Sequence, residues 1–185
     1  MPTFTTDWFS ARAEGIRASL SRLAAPPGRW PGRILEIGSW EGRSAVWFLD
    51  EYPDAEVTCV DTWAGGVEHA GTDMAAVKQR FKDNTASYGS RVKTREGRSD
   101  AVMFRLGADG EQFDAVYVDG SHETPDVLSD LVLAFHLLRP GGVLLVDDYG
   151  GGAGVQAAVD AFLTAFEGRL LLCHAGYQIH FVKKP

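Results

Sequence analysis

Short apolar runs alternate with amphipathic stretches along most of this chain, and glycines or prolines separate them. Runs rich in β-branched and aliphatic side chains predict five strands, at 33–37, 56–60, 92–95, 113–119 and 143–146. Stretches with helical periodicity lie between them, at 43–51, 73–87, from 99 onward, 124–138 and 155–167. Five strand–helix units in succession predict a doubly wound, mostly parallel α/β sheet with helices on both faces.

Two further segments frame these units. A first helix is predicted over 7–23, with Asp7 as its N-cap and the proline-containing segment 25–28 as its stop. It either covers a neighbouring site or belongs to the core. Its apolar side is formed by Trp8, Ile16, Leu20 and Leu23. Near the other end, apolar runs at 170–173 and 178–182 flank a glycine-containing turn and predict a closing antiparallel hairpin.

Length and composition favour one domain over residues 1–185, with a lead-in segment at 1–28 and a core at 33–183. The formal net charge of −7 argues against a nucleic-acid partner, because phosphate binding normally needs a basic face. Cys59 and Cys173 lie in apolar runs and are expected to be buried thiols of a reducing compartment. No run approaches about 20 apolar residues, and the first residues lack the pattern of a signal peptide. We therefore expect a cytoplasmic protein with no membrane partner.

The first predicted strand leads into a glycine-containing turn with the spacing E-x-G-x-x-x-G-x-S, formed by Glu36, Gly38, Gly42 and Ser44. A strand that breaks at glycine and re-enters a helix brings backbone N–H groups close to a ligand. The spacing differs from the G-x-G-x-x-G of dinucleotide folds. The acid two residues before the first glycine suits a cationic ammonium group better than a pyrophosphate.

This turn, RILEIGSWEGRS, resembles motif I of the class I S-adenosylmethionine (SAM) methyltransferases, of the small methyltransferase-24-like or metal-dependent O-methyltransferase type. The segments VTCVDTW and FDAVYVDGSH extend the resemblance. It implies a Rossmann-like methyltransferase fold with seven strands in the order 3-2-1-4-5-7-6, strand 7 antiparallel. It also implies SAM as the cofactor.

The resemblance implies a set of cofactor-binding residues: Glu36, Gly38, Ser39, Gly42, Ser44, Asp61, Thr62, Trp63, Gly97, Arg98, Ser99 and Asp119. Asp61, at the end of the second strand, can accept hydrogen bonds from both ribose hydroxyls, or it is a solvated strand-end acid. Trp63 either stacks on the adenine or fills the core. Ser99 either contacts the base or caps the next helix, and Glu36 either meets the ammonium group or is a surface acid.

Three carboxylates follow the fourth and fifth strands, namely Asp119, Asp147 and Asp148. If these strands are neighbours, like charges crowd one mouth and must raise a pKa or recruit a cation. The pattern resembles metal-dependent O-methyltransferases acting on catechols, caffeoyl esters and macrolide or aminocoumarin sugars. It implies that the three aspartates bind Mg²⁺, or Ca²⁺ or Mn²⁺ in its place. Alternatively, Asp147 or Asp148 caps the following helix.

His122 is the candidate general base, acting beside Asp119, because its ordinary pKa is near neutrality and it follows a strand end closely. It is otherwise a fourth metal ligand or an ordinary residue of a helix N-terminus. Catechol-type enzymes use a lysine at this place, and none is near here. Tyr149 and His69 are further candidates for the mouth. The N-P-P-Y/F signature of N-methyltransferases is absent, which disfavours transfer to nitrogen.

The expected function is therefore SAM-dependent methyl transfer, with metal-assisted O-methylation of a small hydroxylated molecule. One alternative is an NAD-dependent oxidoreductase, which Glu36 and the missing third glycine oppose. Another is a non-catalytic SAM-binding or regulatory member of the fold. Because few residues are free to form an acceptor-binding cap, a site completed by a second subunit of a homodimer is left open.

Overall fold

The computed structural model describes residues 1–22, 31–66 and 69–185. Seven strands make the sheet: β1 Arg33–Ile37, β2 Glu56–Asp61, β3 Val92–Glu96, β4 Phe113–Val118, β5 Leu138–Val146, β6 Leu170–Ala175 and β7 Ile179–Lys183. Within the described residues, six α-helices accompany them: α1 Ala13–Arg22, α2 Arg43–Glu51, α3 Met74–Thr85, α4 Ser99–Ala108, α5 Thr124–Leu137 and α6 Ala153–Ala165. A 3₁₀ turn, Ala86–Arg91, joins α3 to β3.

The strands lie in the order β3-β2-β1-β4-β5-β7-β6. β1 to β5 are parallel, and β7 runs antiparallel to both β5 and β6. The predicted fold class, strand order and antiparallel seventh strand are confirmed. The order reverses between β1 and β4, which is the switch point where ligands bind in open α/β sheets.

Two apolar clusters hold the helices against the two faces of the sheet. Alternate residues of β1 pack into the two clusters. Leu35 and Ile37 face the cluster under α4, α5 and α6, whereas Ile34 faces the cluster under α1, α2 and α3. Because both faces are covered, the central strands are apolar almost throughout, and β4 is buried at every position.

The N-terminal helix is shorter than predicted and begins at Ala13, not at Asp7. The Asp7 carboxylate accepts a hydrogen bond from the Ser10 N–H (2.9 Å) and so holds a turn before the helix. Phe9 anchors this turn, because its ring is buried against Tyr117. Trp8 is 59% exposed and therefore does not share the apolar side of α1. The predicted helix end near residue 23 and the stop at 25–28 lie outside the described residues.

β5 begins at Leu138, five positions before the apolar run that predicts it (143–146). Leu138 pairs with Phe113, and a register shift follows before Val143 pairs with Ala115. An irregular strand start of this kind carries no periodic signal, so the sequence predicted only the regular part.

Cys59 and Cys173 form no disulfide within the described residues; Cys59 is buried, as expected, but Cys173 is only half-buried. Among the described helices, none is long and apolar enough to cross a membrane.

A buried histidine makes stability depend on pH. The His180 ring is fully buried, with Nδ1 2.8 Å from the Ser19 hydroxyl and Nε2 3.2 Å from the side-chain amide oxygen Oε1 of Gln178. Burial, with a smaller effect of His174, lowers the pKa of His180 to about 3. The folded state therefore resists protonation, whereas the unfolded chain protonates this ring near its ordinary pKa of about 6.5. The stability that the neutral ring contributes is complete above that value and is lost as the pH falls.

We expect the free energy of unfolding to fall by about 2 kcal/mol between pH 7 and pH 5 through this group alone. Urea titrations at both pH values measure it. His180→Asn should remove most of that difference, while His174→Asn, the same change on the ring stacked 4.6 Å away, should keep it. An unchanged pH dependence in His180→Asn would contradict the assignment.

Candidate active site

A cavity of about 770 Å³ opens at the carboxyl ends of β1, β2, β4 and β5. It passes from the Gly97–Ser99 turn and Asp61, across Gly38, to the acids that follow β4 and β5. Of the predicted site residues, the structure brings these ten to its wall: Gly38, Asp61, Thr62, Gly97, Arg98, Ser99, Asp119, His122, Asp147 and Asp148. His69 also lines it. Tyr149 instead packs against the apolar core.

Gly38 lies where β1 and β4 come closest at this edge. Its φ is +85°, and a Cβ at this position would lie 1.9 Å from the Asp119 carbonyl oxygen. Backbone hydrogen bonds hold the strand ends together at this point. The Gly38 N–H donates to the Val60 carbonyl and the Asp119 N–H to the Ile37 carbonyl, both 2.9 Å. Only glycine fits here, because both the backbone angle and the lack of space exclude a side chain.

Four predicted cofactor residues lie in or beside the glycine turn and do not line the cavity: Glu36, Ser39, Gly42 and Ser44. Glu36 is fully buried and its Oε1 accepts a hydrogen bond from the Ser44 hydroxyl (2.5 Å). Burial raises the pKa of Glu36. Glu36 is therefore not a surface acid; its Oε2 has no partner among the described residues, and contact with an ammonium group stays a prediction.

The Asp61 carboxylate ties the glycine turn to the end of β2. Its Oδ2 accepts the N–H groups of Ser39 and Trp40 (both 2.9 Å), and its Oδ1 accepts the Trp63 N–H (2.7 Å). Two carboxylate oxygens offer about four acceptor positions, so the group can also accept a ligand hydroxyl. Asp61 lines the cavity and is not a free strand-end acid.

Trp63 belongs to the core, the second of its two predicted roles. Its ring is 6% exposed and lies 4.8 Å from the Phe81 ring. The indole N–H donates to the Trp40 carbonyl (2.9 Å), so Trp63 supports Trp40, which does line the cavity. The role predicted for Trp63 on the adenine face has no support in this placement.

The Tyr117 hydroxyl connects the acids of β4 and β5. It lies 3.1 Å from Asp119 Oδ2 and 2.5 Å from Asp147 Oδ2. Burial, with the charges of Asp147 and Asp148, raises the pKa of Asp119 well above its usual range. Burial also raises the pKa of Asp147, and Asp148 adds to this. The predicted crowding of charge at one mouth is therefore present in the structure.

Asp148 has left-handed backbone angles (φ +57°) and turns toward other partners. Its Oδ2 lies 2.8 Å from His122 Nε2, and its Oδ1 accepts the Tyr177 hydroxyl (2.5 Å). A non-glycine residue at positive φ is uncommon and is often found at functional sites. The structure thus places His122 and Asp148 together at the mouth.

Residues 3–12 form a strap along this edge of the sheet that sequence reasoning missed. Thr5 donates through its N–H (2.7 Å) and hydroxyl (2.6 Å) to the buried carboxylate of Glu41, in the glycine turn. Burial opposes ionisation of Glu41, but these bonds and Arg80 outweigh it and lower the pKa. The strap also brings Arg12 to the mouth, with Nε 3.6 Å from Asp147 Oδ1 and the guanidinium 3.9 Å above the Tyr177 ring.

The sequence offered a signal for only one of these missed residues. Tyr117 precedes Asp119 by two positions in a strand, so both side chains had to lie on one side of the sheet. Arg12, Glu41 and the exposed ring of Trp8 reach the site through the path of the strap, which has no periodic pattern.

The acids at the mouth meet some of the needs of a divalent cation. Carboxylate oxygens are suitable donors, and the charge that raises the pKa values of Asp119 and Asp147 would be offset by a cation. Asp148, however, is engaged with His122 and Tyr177. Within residues 1–22, 31–66 and 69–185, no three His, Cys, Asp or Glu side chains are grouped so as to hold a metal ion. Asp119 and Asp147, both in contact with the Tyr117 hydroxyl, therefore offer suitable oxygen donors, and metal binding by the three aspartates stays a prediction.

Comparison with known proteins agrees with the fold and with the glycine turn. A sequence model described as a methyltransferase domain matches residues 35–149. The chain belongs to this methyltransferase family. One curated relative is the polyamine aminopropyltransferase of Chromobacterium violaceum, which is 31% identical over 144 residues. The match covers 76% of this chain and 51% of that protein. The chain spans about half, or less, of the length of the curated relatives that it matches.

Solved structures show the same class I methyltransferase fold. An O-methyltransferase from Bacillus cereus, in complex with S-adenosylhomocysteine (SAH), superposes with a TM-score of 0.70 at 19% identity over 98% of this chain and 84% of that one. The MycE methyltransferase of the mycinamycin biosynthetic pathway, in complex with Mg and SAH, gives 0.64 at 18% identity over 98% of this chain and 51% of that one. At these identities the comparison establishes architecture.

Proposed function

We propose that this protein is a SAM-dependent O-methyltransferase that acts on a small hydroxylated molecule with the help of a divalent cation. The observation that supports it is the single cavity shared by the glycine turn at Gly38, the β2 end at Asp61 and the acids after β4 and β5. A cationic methyl donor suits this acidic edge. SAM would supply a sulfonium methyl group for in-line displacement, so most of the protein's contribution is alignment.

The chain divides the remaining work between the two ends of the cavity. Asp61 and the Gly97–Ser99 turn would hold the nucleoside, while Gly38 leaves room beside Asp119. At the other end, Asp119, Asp147 and Asp148 would hold Mg²⁺, which would supply a Lewis acid that eases ionisation of the acceptor hydroxyl. His122 would take the proton of that hydroxyl, and Asp148 fixes the orientation of its ring.

The deciding experiment is transfer of a radiolabelled methyl group from SAM to a panel of catechols and hydroxylated glycosides. A polyamine serves as a control acceptor, because one relative is named an aminopropyltransferase. We expect transfer to a hydroxylated acceptor that stops in EDTA and returns with Mg²⁺. Transfer that continues unchanged in EDTA would contradict the role of the divalent cation but not the proposed O-methyl transfer. Binding of NAD with no binding of SAM in calorimetry would overturn the proposal.

Asp61→Ala should weaken SAH binding by about 1–3 kcal/mol, since a charge-assisted acceptor for the ribose is lost. Isothermal titration calorimetry measures it. Asp73→Ala provides a matched control, because Asp73 caps α3 by accepting the Ala76 N–H and should leave SAH affinity unchanged. Equal affinities of Asp61→Ala and the wild type would count against the ribose contact.

A further inference from the structure

A buried carboxylate that plays no part in the steps above borders the nucleoside end of the cavity. Asp130, on α5, is 2% exposed and lines the cavity. Its Oδ1 has no hydrogen-bond partner among the described residues. A buried carboxylate with an unused acceptor oxygen is costly, because it has given up water without full replacement. Burial accordingly raises the pKa of Asp130 to about 6, although a hydrogen bond from Ser99 opposes this.

The cavity wall near Asp130 combines apolar and polar groups. Asp130 Oδ2 lies 3.8 Å from the place that a Cβ on Gly120 would occupy, so the glycine leaves the carboxylate uncovered on that side. Ile37 and Val60 give the cavity apolar wall at the ends of β1 and β2, and Ser99 stands at the start of α4. This end of the cavity thus offers apolar wall for a base and a buried carboxylate beside it.

Neighbouring acids differ from Asp130 in having a cation. Asp100 and Asp126 both lie within ion-pair distance of Arg98, at 3.1 and 3.7 Å, and all three are substantially exposed. Their charges are compensated and reach water. Asp130 is the buried acid of this group, so it gains most from a ligand that donates a hydrogen bond.

We propose that Asp130 selects adenine over 6-oxopurines by accepting a hydrogen bond from the 6-amino group of the nucleoside bound at this end. A carboxylate only accepts, and the 6-amino group only donates. A 6-oxopurine presents a carbonyl oxygen at the same position, which faces the carboxylate without a shared proton. This inference deepens the proposed function and depends on SAM binding in this cavity.

Calorimetry with SAH and with S-inosylhomocysteine, its 6-oxo counterpart, tests the proposal on the full chain. The wild type should bind SAH about 10- to 100-fold more tightly, which is the range for a hydrogen bond to a charged group. Asp130→Asn should abolish this preference, because the amide can donate to the 6-oxo group. Asp130→Ser, which also removes the carboxylate, should abolish it too and serves as the reporter if the asparagine variant does not fold.

Asp126→Asn is the matched control, one turn earlier on the same helix, and should keep the wild-type preference. Equal wild-type affinities for the two ligands, or a preference retained in both Asp130 variants, would overturn the role of Asp130 while leaving SAM binding intact. A wild type that binds neither ligand would overturn the proposed function as well, so the two failures can be told apart.

Discussion

Asp119→Asn should make the protein more resistant to heat and at least about 100-fold less active. Burial and two neighbouring carboxylates raise the pKa of Asp119, which means that the folded state disfavours its ionised form. The stability linked to the protonated group is present at low pH and is lost as the pH rises through that raised pKa. At neutral pH the asparagine removes this cost, and we expect a gain of about 1 kcal/mol, or 2–4 °C in Tm.

Asp114→Asn is the control on the same strand and should have the opposite sign. At the far end of β4, the Asp114 carboxylate accepts the N–H groups of Gly32 (2.9 Å) and Arg33 (2.8 Å) and pairs with Arg139 (2.7 Å). Because these donors and Arg139 stabilise the ionised carboxylate, replacing Asp114 with asparagine should lower Tm. Adding Mg²⁺ should raise the Tm of the wild type and not that of Asp119→Asn. An Asp119→Asn protein that melts earlier or keeps its activity would contradict the prediction.

Gly38→Ala should destabilise the protein by on the order of 4 kcal/mol and abolish SAH binding. The new Cβ would lie 1.9 Å from the Asp119 carbonyl oxygen and 2.8 Å from the Gly120 Cα, both backbone atoms that cannot rotate away. The ends of β1 and β4 would have to separate, and with them the two halves of the cavity. Urea unfolding and calorimetry measure the two effects.

Gly71→Ala separates backbone strain from the clash. Gly71 has φ +88°, much like Gly38, but a Cβ there would meet nothing within 4 Å. This substitution should cost only about 1–2 kcal/mol, from the left-handed backbone angle, and leave SAH binding unchanged. Similar losses in the two variants would show that space at Gly38 is not the constraint.

The sequence predicted the sheet because apolar runs and glycine turns are local signals. β1, α2 and the positions of Asp61 and Asp119 at strand ends follow from such runs, and the strand order came from resemblance to a family. The sequence did not predict the strap. It also did not predict that Asp119 and Asp147 share the Tyr117 hydroxyl while Asp148 contacts His122 and Tyr177. Those depend on side chains that meet from distant parts of the chain, as Arg12 meets Asp147 and Tyr177.

Trp63 shows the limit for a single residue. A tryptophan just after a strand end suits a ligand and a core equally well in sequence. Its direction is decided by Phe81 on α3 and by the Trp40 carbonyl, neither of which is near it in sequence. The sequence did not predict the burial of Asp130 either, because a lone acid on an amphipathic helix is normally expected to face water.

The strap joined to Glu41 makes residues 3–12 part of the edge of the cavity. Thr5 and Glu41 are 36 positions apart in sequence, yet together they bury a charge inside the turn that begins at Gly38. We therefore expect an affinity tag or fusion placed close to Thr5 to disturb the glycine turn through Glu41. Preparations that differ only in their first few residues should be compared as different proteins.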